Sequence, residues 1–136
     1  MINALQTTIY TTLTAALVGS SDVVAVYDQV PQSADGALNT PFPYVVLGDF
    51  KPNQNDTDDE VGFDGTMLVH VWSRYNGNKE ASVIQGLIYA ALHRTQPTVT
   101  GYGVSDVQQV FGEILRDPDG LTRHGVQRFR VIITPV

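Results

Sequence analysis

Apolar residues recur at spacings of three and four at the start of the chain. Ile2, Leu5, Ile9, Leu13, Ala16 and Leu17 of INALQTTIYTTLTAALVG fall on one stripe, which predicts an amphipathic helix stopped by Gly19. Thr7, Thr8, Thr11, Thr12 and Thr14 are β-branched and work against helix, so the period carries this assignment rather than the propensities. DVVAVYDQV then reads as a short strand, PQSADGALNTPFP as a loop with three prolines, and YVVLGDF as a second strand. KPNQNDTDDE has too little apolar surface to order itself and is expected to be an exposed, mobile loop.

GFDGTMLVHVWSR alternates with period two. Phe63, Met67, Val69 and Val71 share one face and Leu68, His70 and Trp72 the other, as in a central strand partly covered on both sides. After the break YNGN, a second helix is expected from Lys79 to Arg94, with Asn78 as N-cap and Ile84, Leu87, Ile88, Ala91 and Leu92 as its buried stripe. A short extended piece at Thr98–Thr100, a glycine turn at Gly101–Gly103 and a long strand Val104–Arg116 follow, with Gly112 as the expected bulge. DPDG, from Asp117 to Gly120, has the proline and glycine of a β-turn and closes a hairpin. In its second strand Gln127, Phe129, Val131 and Ile133 share one face; Val126, Arg128, Arg130 and Ile132 share the other.

Composition changes this picture little. At 136 residues, with 43% apolar and 16% charged positions, the chain fits one domain, residues 1–136, that can bury roughly two thirds of its unfolded surface without staples. With no cysteine there is no disulfide, thiol nucleophile or cysteine-bound metal. No basic residue precedes Lys51 and no apolar run is long enough to span a membrane, so the mature chain is expected to be the chain as written, with no membrane partner.

Charge is distributed unevenly. Residues 1–64 hold nine acids against Lys51 alone, a net of −8, whereas residues 65–136 hold seven bases against five acids, a net of +2. Such asymmetry suits copies that meet through unlike surfaces, and the overall −6 disfavours adhesion to nucleic acid.

Candidate chemistry is thin. His70, His93 and His124 lie in a strand, at a helix end and beside a turn, with no two at metal-ligand spacing. There is no GxSxG, and GYGVSD lacks the third glycine and the preceding strand of a dinucleotide fingerprint. Asp56, Asp58 and Glu60 alternate as calcium ligands would, but Val61 stands where that loop needs glycine and Met67 where it needs glutamate. No catalytic, cofactor or metal site is expected. Eight basic residues without an aromatic-basic repeat make a poor footprint for DNA. The expected interaction residues are therefore Arg116, Arg123, His124, Arg128 and Arg130 around the hairpin and the acids Asp56, Asp58, Asp59 and Glu60. Arg116 and Arg123 are expected near the turn, able to reach a neighbour.

The ordered set FPYVVLGDF (42–50), LVHVWSR (68–74), ALHRT (91–95) and LRDPDGLTRHGVQRFRV (115–131) resembles the small tail-terminator, or tail-completion, proteins of tailed bacteriophages. The last block is the most specific. The resemblance implies an α/β (α+β) domain, mainly an antiparallel sheet with two helices packed on it, long loops and a C-terminal hairpin. It further implies a non-enzymatic virion protein assembled in the bacterial host cytoplasm. Such proteins form a ring, commonly a hexamer, at the head-proximal end of the tail, bound to the major tail-tube protein and to a neck or head-completion protein, with DNA passing through the channel. A neck connector bound to the portal side, and more distantly a small hydrolase, are the alternatives.

Overall fold

The computed structural model describes residues 2–17, 25–27, 43–54, 63–74, 77–96, 102–118 and 120–135. In chain order these form α1 (Ile2–Leu17), β1 (Ala25–Tyr27), β2 (Tyr44–Gln54), β3 (Phe63–Ser73), α2 (Lys79–Leu92), β4 (Tyr102–Arg116) and β5 (Arg123–Pro135). The strands make one five-stranded sheet in the order β1-β2-β3-β5-β4. β1 runs parallel to β2 and every other pair is antiparallel, the α+β arrangement expected.

The apolar stripes do what their spacing requires. Leu5, Ile9, Leu13 and Leu17 of α1 and Ala81, Ile84, Ile88 and Leu92 of α2 are buried against Val45, Leu47, Met67, Val69, Val71, Val107, Phe129, Val131 and Ile133 of the sheet. α2 lies across β3, β5 and β4, while α1 packs beside it and reaches β1. Both helices therefore cover one sheet face. Full burial of Phe129 alone contributes on the order of 2–3 kcal/mol. The threonines of α1 adapt rather than disrupt. The hydroxyls of Thr8, Thr11 and Thr12 donate to the carbonyls of Ala4, Thr7 and Thr8 four residues back, at 2.9–3.0 Å. β1 is anchored partly by Tyr27, whose ring meets Tyr44 edge-on at 5.9 Å.

Several boundaries depart from the sequence expectation. Lys51–Gln54 are strand, not loop, because β3 supplies partners from Thr66 back to Phe63. α2 stops at Leu92, two residues early, since Arg94 takes a left-handed backbone (φ 59°) that turns the chain onto β4, where Thr95 bridges Val107. Asn78 occupies the N-cap position without a side-chain cap. β4 begins at Tyr102, so Gly103 belongs to the strand. The bulge lies between Gln109 and Phe111, not at Gly112, which pairs with Gln127. The piece expected at 98–100 and the loop expected at 31–43, apart from Pro43, lie outside the described residues.

The hairpin turn forms as read, with the Gly120 N–H donating to the Asp117 carbonyl at 2.9 Å and Gly120 at φ +72°. Gly120→Val should cost about 1–2 kcal/mol, because a β-branched residue resists that backbone region, while Gly120→Asn should recover much of the loss. Urea denaturation of the two variants checks this; equal stabilities would show that the turn can adopt another backbone.

Candidate functional site

The hairpin arginines separate by strand parity. Residue 123 shares the face of Gln127 and Phe129, so Arg123 points under α2 and is only 6% exposed. Its Nε donates to Asn78 Oδ1 at 3.0 Å, which explains why Asn78 does not cap its own helix. Around it the Ser73 hydroxyl donates to Glu80 Oε1 at 2.8 Å, and Arg74 Nε donates to the hydroxyl of buried Thr122 at 3.3 Å. These bonds tie the end of β3, the first turn of α2 and the hairpin together. Arg123 is thus buried within the fold, which corrects the expectation that it reaches outward from the turn.

Arg128, Arg130 and His124 occupy the sheet face that the helices leave open. Arg130 grips Asp64 twofold, Nε to Oδ1 at 3.0 Å and Nη2 to Oδ2 at 2.6 Å, and these bonds hold the Asp64 carboxyl below its ordinary range. Arg128 lies over the Phe111 ring at 5.6 Å, a cation–π contact on an exposed surface. With Lys51, Thr66 and Leu68 it also lines a depression of about 200 Å³. The His124 ring stacks on Trp72 at 3.9 Å, nearly parallel, and its Nε2 lies 2.7 Å from His70 Nδ1, the two sharing one proton as a hydrogen bond. Gly48 makes room for this pair, since a Cβ there would come within 2.7 Å of His70 Nε2. Burial, reinforced by His70 and opposed by Asp117, pushes the His124 imidazole below its ordinary value of 6.5. Arg116 is exposed at the hairpin end. Asp56, Asp58, Asp59 and Glu60 lie outside the described residues.

The sequence reading missed the apolar part of this surface. Val110, Phe111, Leu115 and Leu121 are all large and exposed, gathered on β4 and the hairpin. Uninterrupted alternation from buried Val107 would turn Phe111 inward; the bulge at Val110 reverses the parity and sets Phe111 beside Arg128 and Leu115 beside His124. The third histidine is structural. His93 ends α2, stacks on Tyr89 and accepts the Gln109 N–H at Nδ1 over 3.0 Å, pinning β4 just before its bulge.

The helices back one face of the sheet, and the open face pairs its arginines with rings and a carboxylate. The sequence matches the family described as Tail completion protein gp17 over residues 9–134, and the chain belongs to that family. One relative, the tail completion protein gp17 of Bacillus phage SPP1, is 31% identical over 93 residues, 68% of this chain and 69% of that protein. In fold the chain is also similar to one from the virion of a native gene transfer agent particle, with a TM-score of 0.79 at 21% identity over 98% of this chain and 96% of that one. The family makes this a structural protein of the virion tail and tells against catalysis.

Two outcomes are expected. Arg123→Ala removes a nearly buried side chain with its packing and its bond to Asn78 and should cost about 1–3 kcal/mol, whereas Arg128→Ala at the exposed face should stay within about 0.5 kcal/mol; urea midpoints that move equally would contradict the division. His124 protonates at lower pH in the folded protein than in the unfolded chain, so the unfolded chain takes up protons first as pH falls, and stability should decline from about pH 6.5 downward. His124→Phe, which keeps a ring on Trp72, should flatten that decline in urea midpoints measured between pH 8 and 5.

Proposed function

We infer that copies of this chain close into a ring, six being the number that the family resemblance implies, at the head-proximal end of the tail tube. The ring halts tube growth and offers the neck or head-completion protein a surface to join. DNA passes through its channel without being bound. The observation that carries this reading is that Val110, Phe111, Leu115 and Leu121 are all exposed along one hairpin, with Arg128 over the Phe111 ring, a surface the fold does not use for its own core. Arginine and aromatic residues dominate contact energies at protein interfaces. The unequal charge of the two halves of the chain supports head-to-tail association, which closes into a ring when the rotation between neighbours closes.

Adding this protein to polymerising tail-tube protein should shorten the tubes in proportion to the amount added and leave a ring on one end in negative-stain images. Tubes of unchanged length, with rings found on portal complexes instead, would favour the neck-connector alternative.

A further inference from the structure

The open face of the sheet carries cations and a carboxylate that the fold does not pair with one another. Among the described side chains, Asp64 is held by Arg130, Asp106 takes the Gln108 amide at 3.2 Å and acts on Arg130, Glu80 takes the Ser73 hydroxyl, and Asp117 acts on His124. Glu113 is exposed and its carboxylate bonds to no described group, although its carbonyl accepts Gln85 Nε2 at 3.1 Å. Lys51 and Arg128 are likewise exposed, and neither meets an acid among the described side chains.

Pairing between the strands sets these groups out in rows. Lys51 stands beside Thr66 and Arg130, and Leu68 beside Arg128 and Phe111. Lys51 and Arg128 thus flank β3 from either side, two strand spacings or about 10 Å apart. The Thr66 hydroxyl and the Leu68 side chain lie between them, around the depression of about 200 Å³. Two cations and a hydroxyl about such a hollow suit a single carboxylate on an apolar stem. The chain's own Glu113 does not supply it, because on β4, in the row of Val126, it stands three strand spacings from β2, about 15 Å from Lys51. Phe111 and Leu115, 43% and 42% exposed, flank Glu113 on its own face, so that surface offers a carboxylate between two apolar side chains. A phosphate chain laid across the hollow would instead meet Asp64 and Asp106, which stand in the next row on either side of Ile132.

We propose that the hollow between Lys51 and Arg128 receives the Glu113 carboxylate of a second copy of this chain. The proposal rests on the ring reading above and specifies its contact. Donor and hollow are different parts of the sheet, so the pairing is head-to-tail, and each copy keeps one free donor or one free hollow until the ring closes. The opposite charges set which surface meets which, and Phe111 and Leu115 bury apolar area beside them.

Lys51 and Lys79 are the only lysines in the chain, so in a Lys79→Arg background Lys51 carries the one lysine amine. That protein, assembled on tail tubes and treated with a water-soluble carbodiimide, should form an amide between Lys51 and Glu113 of neighbouring copies, read by mass spectrometry of the linked peptides, and Glu113→Gln should abolish it. Glu113→Lys should keep its circular dichroism spectrum and lower ring yield by roughly tenfold at fixed concentration; Lys51→Glu and Arg128→Glu added to the same chain should restore most of that yield. Absence of both the amide and the rescue, with rings still formed by the unmodified protein, would overturn the proposal and leave the ring reading intact. An amide from Lys51 to a carboxylate of tube protein would overturn it in favour of a tube partner. A short DNA duplex retained by the unmodified protein and released by Arg128→Ala would do so in favour of phosphate. If the unmodified protein forms no rings on tubes, the ring reading and this contact fall together.

Discussion

Burial of one sheet face beneath α1 and α2 is the constraint from which the other features follow. A strand sends alternate side chains to opposite faces, so once Phe129, Val131 and Ile133 are committed to the helices, Arg128 and Arg130 have nowhere to go but the open face. The same alternation in β3 sends Val69 and Val71 inward and His70 and Trp72 outward. The helix-covered side holds the stability of the subunit. The open side holds Arg128, Arg130, His70, Trp72 and His124.

Ser73, Arg123 and Gln127 break the apolar character of the covered face, and each bonds to a neighbour, although Gln127 Oε1 accepts no hydrogen bond among the described residues. Gln127, 1% exposed, donates through Nε2 to the Gln85 carbonyl of α2 and to Gln109 Oε1, linking helix to sheet in the middle of the core. Gly112 clears space for this pair, since a Cβ there would stand 2.9 Å from the Gln109 amide nitrogen. Arg123 does similar work at the hairpin end through Asn78. A buried amide or guanidinium left without partners costs more than an apolar replacement would, so these contacts fix the angle and register at which α2 meets β5 rather than adding much net stability.

The open face is organised by pairing its own charges and rings. Arg130 with Asp64, Arg128 with Phe111, and His124 with Trp72 and His70 are each satisfied locally, which keeps a charged surface ordered without a partner. Exposed ion pairs of this kind add little to stability in water. Their effect is to hold these side chains in place, and groups already held in place lose less conformational freedom on entering any contact. For a structural component of a virion tail, preorganised contact matters more than a pocket.

Periodicity in the sequence determined the two helices, the inward and outward sets of β3 and β5, and the turn at DPDG, because each depends on residues within one or two turns of the chain. It placed Arg128 and Arg130 on the same face for the same reason. Tertiary structure decided the rest. Lys51–Gln54 are strand only because Phe63–Thr66 come back to pair with them. Asn78 gave up its cap because Arg123, 45 residues later, arrives as a donor. The bulge sits at Val110 rather than at the glycine, and that shift exposes Phe111. A bulge is placed by the register of two strands against each other, and a buried arginine by the helix end that meets it; neither is encoded in the spacing of neighbouring residues.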